Sequence, residues 1–185
     1  KGKGESSWIF CLLAGQHNDL WIGTSEDGLM RLDITTEKIT EQFLHDEKNA
    51  MSIGSNEMIT NMTFLNADSM AMATSLGIDI FNLKKNEFSH IGETDGLSSD
   101  GVYSLINDGK NNLWFTLLDG IAKISLDDKR IHRYNARDGI THENFNYNSV
   151  KRLSNNTIVF GSTLGFVYFN PGKIKEKVVP ADVQI

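Results

Sequence analysis

Apolar residues in this chain come in short runs that stop at glycine or at Asn/Asp clusters. No stretch keeps the i, i+3, i+4, i+7 spacing of an amphipathic helix over three turns. The chain therefore reads as short strands. Val102 to Ile106 is apolar and β-prone, Asn107-Asp108-Gly109-Lys110-Asn111-Asn112 is a dense turn cluster, and Leu113 to Leu118 is a second strand. Asp119-Gly120 separates it from a third strand, Ile121 to Leu126, and Ile131 to Tyr134 follows as a fourth. An Asp-Gly pair between apolar runs predicts a two-residue hairpin turn, with Gly120 as its second residue at positive φ, where glycine meets no steric cost.

That unit recurs. Leu20-Trp21-Ile22-Gly23-Thr24 leads to Gly28, Met70-Ala71-Met72-Ala73-Thr74 to Gly77, Leu113-Trp114-Phe115-Thr116-Leu117 to Gly120, and Ile158-Val159-Phe160-Gly161-Ser162 to Gly165. The four glycines, each expected in a hairpin turn, stand 49, 43 and 45 residues apart, the period of a four-stranded propeller blade. The strands are nearly continuously apolar, as sheets covered on both faces require. Gly23, Ala73, Thr116 and Gly161 share one repeat position and are all small, which lets neighbouring sheets approach closely. The prediction is an all-β chain, a β-propeller fragment of about four blades built from four-stranded antiparallel sheets. The last blade should lack its outer strand, because the chain meets Pro171 soon after Phe166 to Phe169. The expected blades are residues 8–50, 51–94, 95–140 and 141–178, after an unmatched stretch at 1–7. Trp21 and Trp114 share a repeat position and are expected between blades.

Composition narrows the function classes. The 185 residues are 39% hydrophobic and 23% charged, with sixteen glycines and two prolines, as in a soluble globular chain with many tight turns. A net charge of −6 opposes a phosphate backbone, which argues against nucleic acid as a partner of this segment. The longest apolar run, Trp8 to Gly15, is less than half of a membrane helix, so no membrane contact by this segment is expected. One cysteine, Cys11, excludes an internal disulfide and reads as an inert core thiol. The chain starts at Lys1 rather than Met, and is read as a piece of a longer polypeptide.

A family resemblance rests on particular residues. Asn18-Asp19-Leu20-Trp21-Ile22-Gly23-Thr24 with Gly28-Leu29 resembles the repeat of the two-component regulator propeller family. Asp95-Gly96-Leu97-Ser98-Ser99-Asp100 resembles that family's inter-blade link, and Met51-Ser52-Ile53-Gly54-Ser55-Asn56 looks like a looser copy. Glu143-Asn144-Phe145-Asn146, with Phe160-Gly161 and Gly165-Phe166 to Phe169-Asn170-Pro171, resembles the last blade before the chain leaves the propeller. Val179-Pro180 to Ile185 resembles the first strand of the Ig-like triple-tyrosine domain that follows, expected here at 179–185. The second copy departs from the pattern, with Ala71 where Trp is usual. The resemblance implies the periplasmic sensor region of a Bacteroides-type hybrid two-component system, anchored in the inner membrane through its parent and associated with sensing glycan fragments. Its implied partners are an oligosaccharide ligand, upstream propeller blades and the Ig-like domain. The histidine kinase would lie outside this chain.

The residues add little chemistry of their own. Asp19, Glu26, Asp27, Asp119, Asp127 and Asp128 sit mostly in turn clusters, where Asp bonds its own backbone. His17, His45, His90, His132 and His142 show no metal-ligand spacing and read as surface histidines. No catalytic motif, metal site or cofactor is expected. His142-Glu143-Asn144-Phe145-Asn146-Tyr147-Asn148 gathers hydrogen-bonding groups and aromatics in a long inter-blade loop, either for recognition or as a link that fixes the last blade. Its candidate ligand-binding residues are His142, Glu143, Asn144 and Asn146. Two other readings stand beside the sensor: a secreted propeller enzyme, lyase or glycosidase, and a dimerisation scaffold without ligand contact. Apolar faces on the first and last sheets also predict self-association of the fragment.

Overall fold

A computed structural model describes residues 7–16, 18–97, 101–140 and 144–174. These residues form four antiparallel sheets arranged as a four-blade β-propeller, each running outward from the axis in chain order. The first sheet is β1 (Ile9–Ala14), β2 (Asp19–Thr24), β3 (Leu29–Asp33) and β4 (Lys38–Phe43). The second is β5 (Asn61–Asn66), β6 (Ser69–Thr74), β7 (Gly77–Asn82) and β8 (Glu87–Ile91). The third is β9 (Ser104–Asn107), β10 (Asn112–Leu117), β11 (Gly120–Ser125) and β12 (Ile131–Tyr134). The fourth has three strands, β13 (Phe145–Arg152), β14 (Ile158–Ser162) and β15 (Gly165–Phe169), so no outer strand follows among the described residues. The Ig-like start expected at 179–185 lies outside them.

The turns follow from residue chemistry at repeat positions. Between the first and second strands of a sheet, Asn18, Asn111 and Asn156 hold φ of 67°, 67° and 64°, the left-handed region that asparagine tolerates best after glycine. The glycine expectation needs correction at one point. Gly120 is not a turn residue: Leu117 pairs with Gly120, so Leu118 and Asp119 make the turn and Gly120 opens β11. The same register joins Thr74 to Gly77 and Ser162 to Gly165. Glycine is needed there for close approach, since a Cβ on Gly77 or Gly120 would collide with the carbonyl oxygen of Ile91 or Tyr134 on the outer strand. Gly28 keeps a turn-like φ of 67°, and its Cβ would meet the Phe43 carbonyl.

Side chains alternate between a face toward the next blade and a face toward the previous one, and each inter-blade space is a separate core. Trp21 and Leu29 of the first sheet meet Met70, Met72, Phe81 and Phe88 of the second. Phe81 stacks on Phe88 at 4.3 Å and meets Trp21 edge-on at 5.8 Å. The second space sets Ala71, Ala73 and Ile78 against Leu105, Leu113 and Phe115, and Ala71, where Trp is usual, is fully buried there. The third holds Trp114, Ile121 and Tyr134 against Phe145, Ile158 and Phe160. Trp21 and Trp114 are each 2% exposed, as expected of equivalent blade-core positions. Gly23 does admit close packing, because a Cβ there would press on Cys11 Sγ and the Ile59 backbone. Cys11 itself is buried, its thiol pushed up to about 12 by desolvation, which makes it inert.

The inner strands β1, β5, β9 and β13 neighbour one another in that order, and β13 returns to β1. The outward faces of the end sheets are apolar and exposed, through Leu12 on β1 and Phe166 and Tyr168 on β15.

Two substitutions test this architecture. Trp114→Ala should destabilise by roughly 3 to 5 kcal/mol in denaturant unfolding, as for other large core truncations. Gly120→Val should cost about 1 to 3 kcal/mol through displacement of β12 rather than through turn strain, and Asp119→Ala should leave stability nearly unchanged.

Candidate functional site

The start of each inner strand lies at one end of the propeller axis, and there the predicted loop is found. His142 and Glu143 lie outside the described residues. Asn144, at φ 59°, bonds through its backbone to Leu118 and Thr163, tying the loop to the β10–β11 and β14–β15 turns. Asn146 is exposed, while its carbonyl accepts the Ser104 hydroxyl at 3.0 Å. Both asparagines thus use their backbones to fix the last blade and keep their side-chain amides outward.

Asn148 is the hub of this end. It sits at φ 49° in a bulge where β13 loses register between Phe145 and Val150. Its side-chain carbonyl accepts from Asn61 Nδ2 at 2.7 Å and its amide donates to the Phe10 carbonyl at 3.2 Å, joining blades two, four and one. Asn61 in turn accepts the Leu105 N–H at 2.8 Å, which brings in the third blade. Above this polar floor lies an aromatic cluster. Tyr147 stacks on Tyr103 at 4.8 Å and meets Phe10 edge-on at 5.9 Å, and it remains 44% exposed. Phe10 also lines an adjoining open cleft of about 780 Å³ with Trp8, Ser25, Glu26, Asn56, Glu57 and Met58.

Sequence reasoning reached Asn144 and Asn146 but missed the partners that make the surface: Phe10, Trp8 and Tyr103. One signal was available, since Phe10 and Tyr103 both stand just before the residue that pairs with the small repeat position, Cys11 with Gly23 and Ser104 with Thr116. Among the described residues no group of three or more His, Cys, Asp or Glu is arranged to hold a metal. No helix there is long and apolar enough to cross a membrane.

A second polar cluster clamps the link between the first two blades. Asp79, 3% exposed, accepts the Gly54 N–H at 2.9 Å and pairs with His90 Nδ1 at 2.7 Å. His90 lies at the surface, as its spacing suggested, with its ring anchored on the buried Asp79. The hydrogen bond to Asp79 raises its pKa above the ordinary 6.5, with help from the Ala50 and Ser52 backbone. Nearby, His45 Nδ1 bonds the Ile53 carbonyl at 2.7 Å.

No family model matches the chain. Over 80 residues, 43% of its length, it is 34% identical to Histidine kinase P4 of Formosa agariphila, of which that stretch is 6%. The extracellular domain of the hybrid two-component system BT3049 of B. thetaiotaomicron superposes with a TM-score of 0.77 at 16% identity, over 92% of this chain and 24% of that one. For BT4673 of the same organism the values are 0.70 and 21%, over 92% and 21%. This chain has the β-propeller fold of those extracellular domains. It spans only about a quarter of such an extracellular domain and a far smaller share of the kinase. The computationally designed Ika4 protein, matched over 94% of its length at a TM-score of 0.63, shows a similar fold in a chain of similar size.

The His90 pair carries a pH dependence with a definite sign. A raised folded pKa means that the pair stabilises in full below about pH 6.5 and loses its contribution as pH rises through the folded value. The melting temperature of the wild type should fall as pH rises above about 6.5, the unperturbed histidine value, and His90→Asn should remove that part of the fall.

Proposed function

We propose that this stretch is part of the extracytoplasmic sensor of a hybrid two-component signalling protein, lying in the periplasm and passing a ligand signal to a histidine kinase outside residues 1–185. The observation that carries this reading is the 34% identity over 80 residues to Histidine kinase P4, and the fold shared with two extracellular sensor-system domains supports it. The boundaries at 8–50, 51–94, 95–140 and 141–178, and an Ig-like domain from 179, belong to the same proposal.

The ligand proposed is a glycan-derived oligosaccharide or a comparable small polar molecule, held at the axial end that carries Tyr147. Stacked phenol rings offer a flat apolar face to sugar C–H groups, and outward asparagine amides supply both donors and acceptors for hydroxyls. Tyr103 and Tyr147 provide the first and Asn144 and Asn146 the second. Asn148 lies beneath and ties the blades together, so a ligand pressing on Tyr147 acts on the point where four inner strands meet.

Calorimetric titration of the chain with an oligosaccharide panel tests this. At least one class should bind, and Tyr147→Ala should weaken it by about tenfold or more while stability changes little, as truncation of an exposed aromatic anchor does. No binding across the panel, or binding indifferent to both Tyr147→Ala and Asn146→Ala, would remove this surface from the ligand site.

A further inference from the structure

The open cleft adjoining Phe10 combines bare carboxylates with aromatic rings. Two segments build it, the β2–β3 turn and the link into β5, and backbone bonds lock them together. Gly28 donates to the Asn56 carbonyl at 3.2 Å, Met58 to the Ser25 carbonyl at 3.1 Å and Ile59 to the Thr24 carbonyl at 3.0 Å. Met58 is held at φ 51° beside this lock, a strain that a residue other than glycine keeps only where its surroundings impose it. The first strand joins the same wall, since the Trp8 N–H donates to Ser25 Oγ at 2.8 Å.

Each segment carries one carboxylate into the cleft. Glu26 and Glu57 are exposed, and neither takes part in an ion pair among the described residues. Acids elsewhere are matched: Asp19 and Glu41 hold Arg31, Asp68 holds Lys84, and Asp79 holds His90. Among the described residues no Lys, Arg or His lines this cleft. Trp8, 73% exposed, and Phe10 complete its wall. Two unmatched carboxylates in a concave space concentrate negative potential there. An exposed indole attracts a cation over its face, and an alkylammonium offers three N–H donors to carboxylate oxygens. A hard metal ion fits less well, because it demands about six or more oxygen ligands where much of this wall is ring. The volume of about 780 Å³ is that of a small-molecule site and far exceeds one lysine side chain.

We propose that this cleft binds a primary ammonium group of the ligand, so that the oligosaccharide recognised at the axial end is an amino sugar with free amines. The inference rests on the sensor reading above and adds the sign of the ligand's charge. Phe10 belongs to both places: it lines the cleft and meets Tyr147 edge-on at 5.9 Å. A sugar ring on Tyr147 and Tyr103 therefore has its neighbouring unit beside Glu26 and Glu57. N-acetylation removes the cation, and a uronic acid meets the carboxylates with like charge.

Calorimetric titration of the whole chain with three tetrasaccharides tests the charge: glucosamine with free amines, its N-acetylated form and a polyuronate. Near pH 6, where amines are protonated, the free-amine form should bind about tenfold more tightly than the N-acetylated one, the gain of one charge-assisted hydrogen bond. The polyuronate should bind more weakly than the free-amine form. Glu26→Gln combined with Glu57→Gln should bring the free-amine form down to the level of the N-acetylated one, with the melting temperature unchanged because both side chains are exposed. Equal binding of those two forms by the wild type, or a preference that survives the double substitution, overturns the amine site and leaves the tyrosine surface standing. Absence of binding by all three overturns the amine site as well, and the wider oligosaccharide panel then decides the surface. Lys1→Gln combined with Lys3→Gln should change none of these affinities. A tenfold gain there would mean that the chain's own lysines compete for the carboxylates, and it too overturns the proposal.

Discussion

A three- or four-stranded sheet of five- or six-residue strands cannot bury its own faces, and everything in this chain follows from that shortage. Each blade is stable because the next one covers it. The covering contacts are side chains that alternate along the second and third strands, so Trp21 looks toward the second blade while Ile22 looks away from it. One period of the sequence therefore serves two cores at once, and a change at one repeat position is felt on one side of the sheet alone. Phe166 and Tyr168 are the exception: they alternate with buried positions yet stand exposed, on the last strand of a sheet that has only three strands among the described residues.

The axial end shows a different economy. Inner strands come close enough that polar side chains reach between blades, and the Asn61 and Asn148 amides and the Ser104 hydroxyl do so with hydrogen bonds to backbone or to each other. These bonds satisfy polar groups that the convergence of four strands would otherwise leave without water. The rigid polar floor then lets Tyr103 and Tyr147 stack while one ring stays open to solvent. An aromatic surface of this kind belongs to no single blade, since it is made where the inner strands begin.

How much of this could be read from the sequence differs by element. The blades were legible because short apolar runs, turn asparagines and small residues at one position repeat with a period that few folds produce, and Trp21 and Trp114 followed from the same alignment. The missing outer strand was legible from Pro171. The role of Gly120 was misread, because Asp119-Gly120 has the local signature of a hairpin turn, whereas the constraint comes from the Tyr134 carbonyl fourteen residues later. His90 was legible as a surface histidine, but its anchoring was not, because its partner Asp79 sits on the adjacent strand and its other contacts come from a distant link. The candidate surface was half legible: Asn144 and Asn146 lie in one conspicuous loop, but Phe10 reaches Tyr147 only through ring closure, which leaves no trace in local pattern.

The bond from Asn148 to the Phe10 carbonyl spans 138 positions of the chain. Hairpins and adjacent blades can form from contacts tens of residues apart, so most of the molecule is assembled from short loops. Joining the first inner strand to the last cannot occur until the chain has been synthesised through Asn148. The contacts of Tyr147 with Tyr103 and Phe10 therefore wait on ring closure, and a copy whose ring has not closed carries blades without that aromatic cluster.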